Sequence, residues 1–348
     1  MSFWDVYLQR WWPNHRNALF IRQTFERKVP NDPIGLLYTW IRPEDNNANE
    51  VCQANEVCQF LRDYFGEPPK KPVFDIPVDH LLGRTNYILI ARDSTRIIGC
   101  IRYHDLGVLY HNKERIYAVD CFCIHPEWRG KGVGRHLLFQ LHNYANQIGI
   151  PYAMFLKEGA TIHPFVTPLY SGIYVYRKRL LQPISLHPIP LHPIPLQPIS
   201  LHPISLHPIP LHPIPLMDVT KWLDIYQQFY PTTCIVYNQF SLNQQWYMYK
   251  PHMGNHSILI GVQDTYQRKD GQRMGWVTAW LESPLITDIE REEASDKIIE
   301  HTTFDYIWMN KRWAKRIEKG WQEDGPFHWY TYQWLFTADL GISYCLMH

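Results

Sequence analysis

The chain has 348 residues, enough for two domains or one large one. Hydrophobic residues make up 45% and aromatic residues 15%, which excludes wholesale disorder and supplies a large core. A net charge of +1 with 19% charged residues points to neither nucleic acid nor an anionic membrane as partner. The longest uncharged apolar runs, such as residues 87–91 and 234–237, fall far short of the roughly 20 residues of a membrane span. The opening Met1-Ser-Phe-Trp-Asp-Val does not read as a secretory signal. Seven cysteines without a Cys-x-x-Cys pair fit a reducing compartment. A cytoplasmic, monomeric protein is the expectation.

In chain order, residues 46–64 read as a helix carrying a duplicated hexapeptide, Asn49-Glu-Val-Cys-Gln-Ala and Asn55-Glu-Val-Cys-Gln-Phe. The two copies give no clean apolar stripe and read as a local insertion. Residues 87–92 and 97–103 form a hairpin by pattern, around a turn at Asp93-Ser-Thr. Residues 115–124 are a strand rich in β-branched and aromatic side chains. After a Gly-rich turn, Leu137, Leu138, Leu141 and Tyr144 are spaced for one face of a helix over residues 133–148. Residues 152–156 are the next strand.

Residues 181–215 then repeat the pentapeptide Leu-(His/Gln)-Pro-Ile-(Ser/Pro) seven times. Proline at every fifth residue or closer forbids helix and central strand, so the segment reads as an extended linker. It divides the chain into residues 1–180, 181–216 and 217–348. In the last part, residues 218–229 read as an amphipathic helix, and residues 257–262 and 274–281 as strands around Asp270-Gly. A short helix at 295–300, a strand at 304–309, a helix at 311–318 and a strand at 327–336 follow. The similar element order of the two halves points to a duplicated fold.

The sharpest local signal is Cys121-Phe-Cys-Ile-His-Pro-Glu-Trp-Arg129-Gly-Lys-Gly-Val-Gly134. A strand enters a turn, and Arg129, Gly130, Lys131, Gly132, Val133 and Gly134 open a helix. Glycines let the backbone approach a ligand, and free N–H groups at a helix start attract phosphate. The Gly-Lys-Ser/Thr ending of a Walker loop is missing, as is the dinucleotide fingerprint.

Arg-x-x-Gly-x-Gly after a strand ending in apolar-His-Pro resembles the acyl-CoA pyrophosphate loop of the GNAT superfamily of N-acetyltransferases. Within it, the wider chain resembles the N-myristoyltransferases. Phe3-Trp4-Asp5 stands where that family has Phe-Trp-Asp along the acyl-CoA, and Cys121-Phe-Cys-Ile-His where it has Phe-Leu-Cys-Val-His. Leu211-His-Pro to Met217 resembles its Leu-Arg-Pro-Met, and Asp324-Gly325 with Trp329-Tyr-Thr-Tyr-Gln-Trp334 its Gly-Asp-Gly and Tyr-Tyr-Leu-Tyr-Asn-Trp.

The resemblance implies an α/β (α+β) fold of two tandem GNAT-like acyl-CoA N-acyltransferase lobes, with mixed central sheets flanked by helices. It implies myristoyl-CoA as co-substrate, no metal, and glycine-initiated proteins or peptides as acceptors. The carboxylate of His348 would serve as base, and the backbone N–H groups of Cys121 and Phe122 would hold the oxyanion. Phe3, Trp4, Cys121, Phe122, Cys123, Ile124 and Arg129 to Gly134 would bind the acyl-CoA, with Cys121 and Cys123 as wall residues. Two other readings stay open, an acetyltransferase acting on an amine and a non-catalytic binder of acyl-CoA or peptide.

Overall fold

The computed structural model describes residues 35–43, 48–66, 73–83, 85–109, 115–150, 152–162, 168–179, 211–229, 235–237, 244–251, 256–314, 320–332 and 345–346. The first half gives β1 (Leu37–Ile41), α1 (Ala48–Tyr64), β2 (Val73–Phe74), α2 (Val78–Leu82), β3 (Tyr87–Asp93), β4 (Arg96–Leu109), β5 (Arg115–Ile124), α3 (Val133–Gln147), β6 (Ala153–Glu158) and β7 (Tyr170–Lys178). The second gives β8 (His212–Pro213), α4 (Leu216–Phe229), β9 (Ile235–Tyr237), β10 (Gln244–Tyr249), β11 (Ile258–Lys269), β12 (Gln272–Glu282), α5 (Asp288–His301), β13 (Tyr306–Asn310), β14 (Gln322–Tyr332) and β15 (Cys345–Leu346). The pentapeptide repeat falls outside the described residues up to position 210.

A mixed sheet runs β1-β3-β4-β5-β6-β14-β7-β13-β12-β11-β10-β8. Its order is a near-palindrome. β3-β4-β5-β6 on one side is matched by β10-β11-β12-β13 on the other, and in each set only the last pair is parallel. At the centre the halves exchange strands. β14 of the second half pairs with β6 along Phe327↔Glu158 to Tyr332↔Ala153, and β7 of the first half pairs with β13 along Tyr306↔Lys178 to Asn310↔Tyr174.

Alternation along each strand sends side chains to two covered faces. Leu89, Ala91, Ile101 and Tyr103 pack on Leu137, Leu138 and Leu141 of α3, while Ile88, Ile90, Cys100, Cys121 and Cys123 pack with Ala54, Val57, Phe60 and Leu61 of α1. The second half repeats this, with Ile258, Ile260 and Val262 against Ile298 and Ile299 of α5, and Leu259, Ala279 and Leu281 against Val219 and Leu223 of α4. Around the centre, Tyr174 stacks on Phe327 and Trp308, and Trp276 on Trp329.

Three expectations need correction. Helix α1 has a clean stripe, Ala54, Val57 and Leu61, all fully buried. Six residues advance a helix by about one and two-thirds turns, so the hexapeptide copies face different ways: Val57 is buried and Val51 is 44% exposed. Helix α5 begins seven residues before the expected 295, because Thr287 and Glu290 form a reciprocal capping box. Residues 311–313 form a turn instead of opening a helix. Asn310 Oδ1 accepts the Arg312 N–H (3.0 Å), a local bond that competes with helical pairing. The remaining residues of that expected helix lie mostly outside the described ones. Strands β1, β7 and β10 were not expected from pattern. No described helix is long and apolar enough to cross a membrane.

Candidate functional site

The expected loop lies where β5 parts from its neighbour. β5 has ten residues, yet it pairs with β6 only at Tyr117↔Ala153 and Ala118↔Met154. Beyond Ala118 the two parallel strands are joined by no further pair, while β6 stays paired with β14 throughout. A bulge lies on the parted stretch. Cys100↔Cys123 and Arg102↔Asp120 are consecutive pairs, so Cys121 and Phe122 together oppose Ile101. Cys121 takes φ 48°, left-handed backbone that side chains with a Cβ rarely adopt. A bulge of this kind interrupts the ladder and re-aims backbone groups. The Cys100 thiol donates to the Cys121 carbonyl (3.4 Å), leaving the bulge with its carbonyl engaged.

The chain leaves β5 through a 3-10 turn, Pro126–Trp128, whose Glu127 N–H is capped by His125 Nδ1 at 3.3 Å. Arg129 Nε donates to the Ile124 carbonyl (3.1 Å) and ties the loop to the strand end. Lys131 lies over the Trp128 ring. Gly130 and Gly132 have φ of 77° and 91°, and a Cβ at either would meet no atom within 4 Å. Gly132 is the N-cap of α3 and offers no side-chain cap to its free N–H groups. Exposed Arg129, Lys131 and Arg135 surround this helix start, with Glu127 as the acid nearby in sequence. Open glycine backbone, uncapped donors and cations together form a seat for a phosphate-bearing ligand.

Loop and bulge meet directly. A Cβ on Gly134 would stand 3.0 Å from Phe122 Cζ, and Phe122 is 40% exposed beside it. Gly99 sits where a Cβ would strike Ile124, Leu137 and Val133, so the glycine lets α3 lie close on the sheet. Cys121, Phe122, Cys123, Ile124 and residues 129–134 are therefore in one place. Burial pushes the Cys121 thiol well up and the Cys123 thiol up to about 12, which keeps both protonated and unsuited to attack. Phe3, Trp4 and His348 lie outside the described residues. Cys345 and Leu346 pair with Ile235 and Val236, and that strand pairs with Val108 and Leu109 of β4.

A charged cluster on the α1 side of the bulge was not expected. Asp120 accepts from Arg102 Nε (2.6 Å) and Nη2 (2.5 Å) and lies 3.0 Å from His104 Nδ1. Arg102 is buried and also donates to the His80 carbonyl (3.1 Å). His80 Nδ1 meets the hydroxyl of Tyr266 from the second half at 2.6 Å. Burial alone would raise the Asp120 carboxyl, but Arg102 and His104 outweigh it and hold it well below the usual carboxylate range. The signal was present as Arg-x-His at period two, with Arg102 inside the strand expected to end at residue 103 and His104 just past it. Among the described residues no group of three or more His, Cys, Asp or Glu side chains is placed to hold a metal ion.

Residues 54–170 match the model of the Acetyltransferase (GNAT) family. No curated protein matches the chain in sequence. Among solved structures, one of Saccharomyces cerevisiae N-myristoyltransferase with bound myristoyl-CoA is similar over 96% of this chain and 92% of its own, with TM-score 0.58 and 11% identity. A second structure of that enzyme with myristoyl-CoA gives TM-score 0.60 at 11% identity, over 96% and 88%. A third, with myristoyl-CoA and inhibitors, gives 0.60 at 10%, over 96% and 89%. The chain thus has a GNAT-like fold, a large mixed sheet flanked by helices, of the kind seen in the yeast N-myristoyltransferase.

Proposed function

We propose that the protein transfers an acyl group from acyl-CoA to a primary amine, with myristoyl-CoA as donor and the N-terminal glycine of a peptide as acceptor. The observation that carries the reading is the bulge of β5, opened from β6 and touching the uncapped, glycine-flanked start of α3. In this reading the first half binds acyl-CoA. The backbone of residues 130–134 takes the pyrophosphate, the pantetheine arm enters between β5 and β6, and the thioester carbonyl meets the N–H groups of Cys121 and Phe122. Such donors contribute about 3–4 kcal/mol to an oxyanion transition state. The second half supplies most of the acceptor site. The myristoyl donor is supported by likeness over nearly the whole chain to structures of an N-myristoyltransferase holding myristoyl-CoA.

A second reading, acetyl transfer, is favoured by the loop itself, since Arg129-Gly-Lys-Gly-Val-Gly134 has the glycines of ordinary acetyltransferases. The test is transfer from myristoyl-CoA and acetyl-CoA in parallel onto a Gly-initiated octapeptide and its Ala-initiated control. Myristoyl transfer to the Gly peptide alone is the expected result, and acetyl transfer alone establishes the second reading. CoA binding without transfer from either donor makes the protein a binder.

A further inference from the structure

We propose that His104, oriented by Asp120, is the catalytic base that takes the proton from the acceptor ammonium. This rests on the acyl-transfer reading above and adds to it the group that activates the amine.

The geometry begins at the bulge. Asp120 immediately precedes Cys121, and its partner across the ladder is Arg102. Arg102, His104 and Asp120 all lie on the α1 side of the sheet, opposite the face that α3 covers. With the Nδ1–H of His104 donated to Asp120 at 3.0 Å, Nε2 carries the lone pair and points away from the carboxylate. Among the described residues Nε2 has no hydrogen-bond partner. The His104 side chain is 23% exposed and that of Asp120 32%, so an acceptor can reach them, whereas Arg102 is only 8% exposed. Among the described residues, His104 bonds Asp120 of β5, and Asp120 in turn takes Arg102 of the same strand as His104. Through Arg102 the set extends to His80 of α2 and Tyr266 of β11. Arg102 balances the Asp120 charge, which leaves the carboxylate as an orienting partner for the imidazole.

The rival base is the His348 carboxylate that the family resemblance implies, a residue that lies outside the described ones.

The step balances as follows. His104 Nε2 takes one proton from the ammonium, and the amine lone pair attacks the thioester carbon. A C–N bond forms, the C–S bond breaks, and the CoA thiolate takes its proton from the His104 imidazolium. The second proton of the original ammonium leaves the amide nitrogen for solvent.

The test uses the full-length protein, His104→Gln and His104→Ala, and a variant extended by two residues beyond His348. Thermal melts and titration with myristoyl-CoA and acetyl-CoA establish that each variant is folded and binds donor. Transfer is then followed against pH with a Gly-initiated octapeptide and with the same peptide initiated by aminooxyacetyl, whose amine is already neutral near pH 7. Both His104 variants are expected to bind donor within about twofold of wild type and to lose about 100-fold or more in kcat/KM for the Gly peptide. Less than tenfold should be lost with the aminooxy peptide, and the loss with the Gly peptide should shrink as rising pH deprotonates the acceptor amine itself. Transfer unchanged in the His104 variants, or equal losses with both peptides, overturns the proposal, as does loss in the extended variant alone. A wild-type protein that binds CoA but transfers to neither peptide instead removes the acyl-transfer reading and this inference with it.

Discussion

Helices α3 and α5 follow the bulged strands β5 and β12 at equivalent places in the two halves. β12 pairs with β11 so that Thr278 is the extra residue between Val262↔Val277 and Gly261↔Ala279, the counterpart of the Cys121 bulge. The first turns then differ. At α3 the cap is Gly132, with Arg135 at the third helical position and no side chain of the described residues bonded to the cap. At α5 the cap is Thr287, whose hydroxyl accepts the Glu290 N–H while Glu290 accepts the Thr287 N–H. Asp288 adds a second acid to that turn, and His256 binds Glu290 at 2.7 Å. One helix start is left open to an outside anion and the other is closed by its own acids. Of these two helix starts, only that of α3 offers the open donors that the proposed phosphate contact needs.

Several measurements can break or sharpen this contrast. The largest effect belongs to the axis the halves share. Trp329→Ala, which removes a buried ring stacked on Trp276, should cost about 3–5 kcal/mol in urea unfolding, as one transition affecting both halves. Two separate transitions would break the picture of a single exchanged sheet. Next, writing the α5 cap into α3 with Gly132→Ser and Arg135→Glu should weaken CoA binding about 100-fold, roughly 2.7 kcal/mol, by calorimetry. The reverse change in α5, Thr287→Gly and Glu290→Arg, should leave one CoA per chain and lower stability by about 1–2 kcal/mol. Unchanged CoA affinity in the first variant, or a second CoA in the other, would sink the contrast.

The smallest effect is in pH. Burial and nearby Arg96 hold His125, at the start of the glycine loop, below its ordinary value. Its stability contribution is present above about pH 6.5 and is lost as pH falls through the depressed value. Burial raises Glu290 at the α5 cap, but His256 and Thr287 outweigh it and hold the carboxyl low, so its contribution is present above about pH 4.3 and lost below that. Urea midpoints against pH should show two shallow slopes. His125→Asn should remove the upper one and Glu290→Gln the lower.

Much of the fold was legible because strong alternation and helical spacing mark their own elements. Residues 115–124 are expected and found as β5, and Leu137, Leu138 and Leu141 bury the face they were assigned. The place of the loop at 129–134 was legible because glycines between a strand and a helical spacing mark a turn locally. The exchange of β7 and β14 was not legible, since it depends on pairs such as Phe327↔Glu158 that no local pattern encodes. The His104–Asp120–Arg102 cluster was hidden in the same way. Each residue reads alone as a polar position in a strand, and only the β4–β5 register brings them together.

The exchanged strands also set the order in which the molecule can assemble. During synthesis β6 emerges long before β14, so one side of β6 must wait with unpaired N–H and C=O groups, and β7 waits likewise for β13. Closing loops of that length is slow, and bare strand edges recruit other chains. Each half on its own is thus left with an unpaired, adhesive edge, and the two are expected to become soluble only when made together. Cutting the chain within the pentapeptide repeat and co-expressing the pieces tests this, because neither piece alone possesses the strand that finishes its sheet.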